Sequence, residues 1–479
     1  MLKVNFSSRK KRILDSSDIN ANNRLDWKEK SKYFHQEDVK YLSFIIPKKS
    51  EVLEIGCGVG DLLSSLEPAR GVGIDISESM INNAKKNFPQ FEFVVGDVEN
   101  LESLDKINGT FDYILLSDTI GYLDDCQSTL NLLHKFCKRE TRIIISYYSY
   151  SWQPILRLAE ILKLKIPQIE LNFLPADDIK NLMTLADFDV VQEEWKQLLP
   201  ISLFGIGSLI NKYLATLPII RRLCLRNYIV GRSLKKANNQ YESCSVIIPC
   251  KNEKGNIESA ILRIPDFCEN LEIIFIEGHS QDGTYEEIKK ISSKYNHKNI
   301  KILQQDGYGK ADAVYKAFDH SNGDILIILD ADLTVPPEQL SKFWNAITSG
   351  KGEYINGSRL VYPMEKDAMR FLNLIANQLF SKIFSWLLNQ RYTDTLCGTK
   401  ALLRSDYKRI KSNRLYFGDF DPFGDFDLIF GSSKLNLKMV EIPIEYKARI
   451  YGKTQIARFR HGLQLLRMVL YGYRKLKAL

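Results

Sequence analysis

The eight cysteines include no C-x-x-C pair, which excludes zinc ribbons and dithiol redox motifs. Scattered in this way, they read as small buried hydrophobes in a reducing compartment. There is no uninterrupted apolar run of the ~20 residues that a membrane span needs. The nearest stretch, 201–220, is broken by Asn211 and Lys212, carries Gly205, Gly207 and Pro218, and reads as an inter-domain helical segment. Lys3, Arg9, Lys10, Lys11 and Arg12 are not followed by an apolar core, so no secretory signal is expected. There is no long repeat and no low-complexity tract. Charge of one sign is scarce as well. The net charge of +8 is too small to argue for nucleic acid, but it suits phosphorylated substrates or an anionic membrane surface. What is present is ordinary for globular protein: 479 residues, 44% hydrophobic and 26% charged, enough for two or three domains with their own cores.

The most informative stretch runs from Gly323 to Asp332. Ile325-Leu326-Ile327-Ile328-Leu329 closes in Asp330-Ala331-Asp332. A short apolar run bounded in this way is a strand buried on both faces, and ligands of open α/β sheets bind beyond the carboxyl ends of such strands. Two carboxylates one residue apart can hold Mg²⁺ or Mn²⁺ alongside substrate phosphates. Taken alone they could equally be a turn and a helix cap before Pro336.

The first half shows the same grammar. Val52-Leu53-Glu54-Ile55 runs into Gly56-Cys57-Gly58-Val59-Gly60, a strand, a glycine-rich turn and a helix start. Strands that follow end in Asp75, Asp97, Asp118 and Ser146, with helical patterns between them. That order makes a doubly wound, mostly parallel sheet. The segment from about 40 to 195 resembles a class I S-adenosylmethionine-dependent methyltransferase. The resemblance implies that Glu54, Gly56, Gly58 and Gly60 form the cofactor loop, Asp75 holds ribose, Asp97 contacts adenine, and Asp118 lies beside the methyl group. His35 and His134 are candidate bases for a hydroxyl acceptor, although a lone histidine is as readily structural.

A second β-α-β series begins at Cys244. Its strand ends deliver Pro249 with Asn252-Glu253, then Glu277, then Lys310 and Asp312, then Asp330 and Asp332. This series resembles a family 2 glycosyltransferase of the GT-A fold. In that family Pro249, Asn252, Glu253, Glu277, Lys310, Asp312 and Asp330 would hold the nucleotide-sugar, and Asp330 with Asp332 the metal. Glu277-Gly278-His279-Ser280 departs from the usual Asp-Asp-Gly-Ser and leaves the nucleobase open. Thr334 stands where a supporting Gln is common. Arg359, Arg370, Arg449 and Lys453 resemble the acceptor-phosphate residues of dolichyl-phosphate mannosyltransferase-like enzymes, and Asp427 the acid that serves as base when the acceptor is a hydroxyl. Apolar spacing over 371–388 predicts a helix, packed or interfacial. From Ala457 onward there is no acidic residue. Phe459, Leu463, Leu466, Leu470 and Tyr473 share a helical face beside Arg460, Arg467 and Arg474, a pattern of surface membrane binding or of docking.

The expected organisation is an arm over 1–39, a methyltransferase over 40–199, a helical linker over 200–242, a glycosyltransferase over 243–455 and a basic amphipathic helix over 456–479. The expected function is sugar transfer to a (poly)prenyl-phosphate-like acceptor, paired with methyl transfer, at the cytoplasmic face of the membrane. The cofactors would be S-adenosylmethionine and Mg²⁺ or Mn²⁺; the partners a nucleotide-sugar donor and a lipid-linked or glycan acceptor, with no nucleic acid. Two alternatives stand beside it: transfer to a sugar hydroxyl with Asp427 as base, and a scaffold in which one domain only binds.

Overall fold

A computed structural model describes residues 6–237, 240–362, 371–418, 425–449, 451–452 and 458–479. The chain divides into two compact units, 1–237 with 478–479, and 238–477.

The first unit is built on seven strands: β1 (Glu51–Ile55), β2 (Arg70–Asp75), β3 (Glu92–Val95), β4 (Phe111–Ser117), β5 (Cys137–Tyr148), β6 (Phe188–Lys196) and β7 (Arg226–Ser233). Their order is β3-β2-β1-β4-β5-β7-β6. The first five are parallel, and β7 runs antiparallel to both its neighbours. Alternation along each strand feeds two cores. Leu53, Ile114, Leu116, Ile143 and Ile229 face one side, with Ile179 and Met183 of the helix Ala176–Leu185. Val52, Leu115, Ile144, Tyr228 and Val230 face the other, with Tyr41, Leu42 and Ile45 of the helix Lys32–Ile45.

Two expected boundaries shift. The arm over 1–39 is three helices, Ser8–Asn20, Arg24–Lys30 and the start of Lys32–Ile45, and its Asp38 is buried in this unit. The stretch 200–242, expected as a linker, supplies β7, an interior strand whose eight residues are all buried. The glycines and Pro218 that suggested a linker belong to the connection before it.

The second unit carries β8 (Ser243–Cys250), β9 (Asn270–Glu277), β10 (Asn299–Gln304), β11 (Ile325–Ile328), β12 (Tyr354–Ser358), β13 (Lys400–Leu403) and β14 (Met439–Pro443), in the order β10-β9-β8-β11-β13-β12-β14. β8 to β11 are parallel, and β13 is antiparallel to β11 and β12. Val246, Ile248, Ile273, Phe275, Ile325 and Ile327 form the core with the helices Ile257–Arg263 and Leu340–Thr348. Because β8, β9 and β11 are parallel, Asn252-Glu253, Glu277 and Asp330 leave the sheet at one edge.

The helix Arg458–Gly472 forms as expected. Leu465 and Met468 are buried, while Leu463, Leu466 and Leu470 are exposed. In Phe371–Leu388, Phe384 and Leu387 are buried and Leu379 is exposed. Among the described residues no helix is long and apolar enough to cross a membrane.

Candidate active sites

In the first unit a cavity of about 180 Å³ is lined by Gly56, Gly58, Asp75, Asp97 and Asp118. Five predicted positions meet there because parallel strands end at one edge. Gly58 has φ +51 and open space where a side chain would stand, so a ligand can approach its backbone. Its N–H donates to Asp75 Oδ2 at 2.8 Å, and the Ser77 N–H donates to Oδ1 at 2.9 Å. Desolvation raises the Asp75 pKa, and these two N–H groups act against it. Gly60, also with φ +76, sits under the ring of Phe93. Behind the loop, Glu54 is buried with Oε2 lacking a hydrogen-bond partner among the described residues. Burial, with Asp61 nearby, lifts its pKa well above the ordinary carboxylate range.

The cavity is roofed by residues that motif reading passed over. The helix Ser8–Asn20 buries no residue and is held by charge. Arg9 donates to the carbonyls of Gly121, Tyr122, Leu123 and Glu170. Lys10 reaches Asp97 Oδ2 and Glu99 Oε2, each at 2.5 Å. Arg24 lines the same cavity without an ion pair or hydrogen bond among the described residues.

Asp118, with φ +54, pairs with Arg226 at the end of β7. Arg226 is fully buried and also bonds Asp38 Oδ1 at 3.1 Å and Ser146 Oγ at 3.2 Å. Tyr228 donates to Asp38 as well. Two carboxylates share one guanidinium, so the cluster retains a negative charge that favours a cation in the cavity. Desolvation raises the Asp118 pKa and Arg226 opposes it.

The two candidate histidines part company. His134 is locked by Ser233 Oγ and the Ala186 carbonyl, each at 2.7 Å, and stacked on Phe188 at 4.1 Å. It is a satisfied core residue. Burial, helped by the Lys28 cation, pushes the His35 pKa down to about 4, so it is neutral at pH 7.

In the second unit each carboxylate predicted to hold the metal is paired with its own cation. Lys310 Nζ lies 2.6 Å from Asp330 Oδ1. Arg449 Nη2 lies 2.6 Å from Asp332 Oδ2, while its Nη1 lies 2.8 Å from Glu253 Oε1. Burial works against the Lys310 charge, but Asp330 and Asp425 outweigh it and raise its pKa. Asp332 Oδ1 also accepts from the Thr334 hydroxyl at 2.8 Å and N–H at 3.1 Å. A Cβ on Gly398 would stand 2.0 Å from Asp330 Oδ2 and 2.6 Å from Lys310 Nζ, so a side chain there would displace both groups.

The nucleotide edge is tied together by its own loops. Asn252 Oδ1 accepts the Gln281 N–H at 2.8 Å, and Glu277 accepts the Ser280 N–H at 2.5 Å. Asp312 accepts the Gly307 N–H at 2.8 Å. Pro249 sits near the end of β8. Of the residues predicted to hold the acceptor, Arg359 makes a bidentate pair with Asp394, both bonds 2.7 Å, and Arg449 is the partner of Asp332 and Glu253. Arg370 and Lys453 lie outside the described residues. Asp427 accepts from Tyr315 at 3.0 Å and pairs with Arg414 at 2.6 Å. The neighbouring Asp425, passed over in the sequence, acts on Lys310 after Asp330, and it lies 3.1 Å from the fully buried Lys400.

With this geometry in place, likeness to known proteins is informative. Residues 27–193 match the family described as methyltransferase domain, and residues 245–410 match glycosyl transferase family 2. A dolichol-phosphate mannosyltransferase of Pyrococcus furiosus is 39% identical over 233 residues, 47% of this chain and 63% of that protein. An undecaprenyl-phosphate 4-deoxy-4-formamido-L-arabinose transferase of Aeromonas hydrophila is 32% identical over 117 residues, 24% of this chain and 36% of that protein. The chain thus spans less than two thirds of either relative. A solved methyltransferase of Thermotoga maritima, described as S-adenosylmethionine-dependent and possibly acting on histamine, aligns at TM-score 0.35 and 16% identity, covering 46% of this chain and 99% of its own.

Proposed function

Because the chain joins a methyltransferase domain to a family 2 glycosyltransferase domain, we propose that it is a bifunctional transferase of cell-envelope glycan or glycolipid assembly. The second unit moves a sugar from a nucleotide-sugar to a polyprenyl-phosphate-type acceptor, and the first moves a methyl group from S-adenosylmethionine. Both curated relatives are named for a polyprenyl phosphate, which is what brings that acceptor to this chain.

The observation that carries the reading is the double ion pair, Lys310 with Asp330 and Arg449 with Asp332. Asp330 and Asp332 offer hard oxygen donors that suit Mg²⁺ or Mn²⁺. A bound ion would complete its shell with phosphate and water oxygens. When bound, the ion supplies positive charge against the departing diphosphate. Lys310 and Arg449 are the cations that would bind phosphate oxygens beside it. The acceptor oxygen bonds to the anomeric carbon as the bond from that carbon to the nucleotide diphosphate breaks.

In the first unit Asp75 would bond the ribose hydroxyls and Asp97 would contact the adenine. Arg24, without an ion pair among the described residues, suits the methionine carboxylate. The cofactor supplies an already activated methyl group; the protein positions the acceptor beside Asp118 and excludes water. The exposed Leu463, Leu466 and Leu470 beside Arg467 support peripheral attachment to an anionic cytoplasmic membrane face. A second reading is transfer to a sugar hydroxyl with Asp427 as the base that such an acceptor needs; Asp427 is buried, accepts from Tyr315 and pairs with Arg414.

The test is direct. Full-length protein with labelled nucleotide-sugars, Mn²⁺ and a short polyprenyl phosphate should move label into the organic phase. Label appearing only on soluble glycans would overturn the lipid-phosphate acceptor. Calorimetry with S-adenosylmethionine tests the other unit separately.

A further inference from the structure

The first unit bears a surface that neither reaction uses. The helix Gln153–Ile161 turns only Leu156 inward; Ile155 (53%), Leu158 (55%) and Ile161 (77%) are exposed. The connection before β7 adds Phe204 (107%), Leu209 (60%) and Ile219 (85%). The two segments adjoin: Trp152 Nε1 donates to the Leu223 carbonyl at 2.8 Å, and Leu156 and Leu225 share one small core with Phe34. Isolated exposed leucines are ordinary, but this many large apolar side chains exposed on two adjoining segments mark an interaction surface.

Three features bear on the partner. Leu203, Phe204 and Gly205 all have positive φ. Non-glycine residues hold that conformation only when the surroundings impose it, and here it projects a phenyl ring into solvent. The stretch 198–225 contains no aspartate or glutamate, and its charges are Lys212, Arg221 and Arg222. Residues 153–169 hold Arg157, Lys163 and Lys165 against one acid, Glu160, which Lys165 pairs at 2.9 Å; apolar side chains in a basic excess complement an anionic bilayer. Finally, the patch borders the reaction cavities. Ile166, Pro167, Gln168 and Ile169 line the cofactor cavity, while Leu171, Asn172 and Phe173 line a smaller pocket beside Asp118 and Tyr148. Leu162, Leu164 and Ile169 of the same loop are exposed.

We propose that this face seats the methyltransferase unit in the interface of an anionic membrane, so that its methyl acceptor is a membrane-borne lipid presented at the mouth of the Asp118 pocket. The seating is independent of the tail helix and of the proposed sugar transfer; the acceptor class rests on the methyltransferase reading. In the transfer the acceptor oxygen or nitrogen forms a bond to the methyl carbon as the sulfur–carbon bond breaks, and the acceptor's proton passes to solvent.

The test is hydrogen exchange on the full chain with phosphatidylglycerol vesicles, phosphatidylcholine vesicles or none. Protection over 153–169 and 201–223 with the anionic vesicles alone is expected. Phe204→Ser and Ile219→Ser alter fully or largely exposed side chains and so spare the fold. Together they should weaken vesicle partitioning roughly tenfold or more, since each buries a large apolar side chain, and leave S-adenosylmethionine binding unchanged by calorimetry. Unchanged exchange in these segments, or protection without lipid that grows with protein concentration, would overturn the proposal; the latter outcome assigns the face to a second copy. Methyl label recovered only in water-soluble products would overturn the acceptor class while leaving the seating intact. Loss of S-adenosylmethionine binding in the parent chain would instead strike the methyltransferase reading.

Discussion

Lys10 closes on Asp97. Its ammonium stands 2.5 Å from the carboxylate that the cofactor's adenine is expected to meet, and equally close to Glu99. The contact joins a helix with no buried residue to the loop after β3, so the cover over the cavity is fastened by charge and not by apolar packing. Burial works against the Lys10 charge, but Asp97 and Glu99 raise its pKa, so the latch persists across the neutral range.

Lys10→Ala should therefore loosen the cover. Hydrogen bonds to charged groups are worth about 1.5–3 kcal/mol, so release of S-adenosylmethionine should quicken by roughly 10- to 150-fold. Stopped-flow displacement measures it. An unchanged off-rate would mean that the helix Ser8–Asn20 does not gate the cavity.

Arg226 is the fulcrum of the first unit. Arg226→Met leaves Asp38 and Asp118 buried without their cation, a change that typically costs 3–5 kcal/mol. Thermal unfolding of the first unit should move down by several degrees, while the second unit's transition stays in place. If the two transitions overlap, nucleotide binding by the second unit reports its integrity.

His35 predicts a pH dependence. Its folded pKa of about 4 lies below the unfolded value of 6.5, so between these values the unfolded chain binds more protons. Stability therefore rises with pH across that window and is lost as pH falls from about 6.5 towards 4. The loss is on the order of 3 kcal/mol at most. His35→Asn should flatten that part of the profile in urea titrations at several pH values; an unaltered slope would assign the acid sensitivity to other groups.

Asp332→Asn should abolish sugar transfer and leave S-adenosylmethionine binding untouched, because Asp332 belongs to the second sheet. Gly398→Ala should weaken nucleotide-sugar binding as well, since its Cβ collides with Asp330 and Lys310. Titration of nucleoside diphosphates with and without Mn²⁺ reads both variants. Full sugar transfer by Asp332→Asn in the presence of the ion would remove the metal assignment.

The acceptor is decided by three side chains. A lipid phosphate is ionised near neutral pH and needs no base, so Asp425→Asn and Asp427→Asn should each cost less than about tenfold, while Arg359→Ala costs far more. A loss on the order of 10²–10⁴ in either aspartate variant, with a folded second unit, would favour a sugar hydroxyl.

The strand ends were legible because a buried parallel strand writes itself as a short apolar run closed by a polar residue. Glu54, Asp75, Asp97, Asp118, Glu277, Asp330 and Asp332 all fall at or just beyond such ends. The partners of these residues were not legible. Arg226 and Asp38 are 188 residues apart, and Arg449 and Asp332 are 117 apart; no local period links them. Lys10 read only as part of a basic cluster, and Asp425 was overlooked beside Asp427. β7 was missed because glycines and a proline precede it and because an antiparallel strand at that position has no motif of its own.

The placement of β7 sets a schedule for synthesis. β6 ends at residue 196, yet its neighbour in the sheet is β7, which ends at residue 233. At ribosomal rates of about 5–20 residues per second, the nascent chain waits roughly two to seven seconds with β6 emerged and nothing to pair with. During that interval the open side of β5 is an unsatisfied row of backbone donors and acceptors, the kind of edge that templates aggregation. A fragment cut at residue 199 makes that interval permanent, so attempts to express the first catalytic module alone should extend through residue 237.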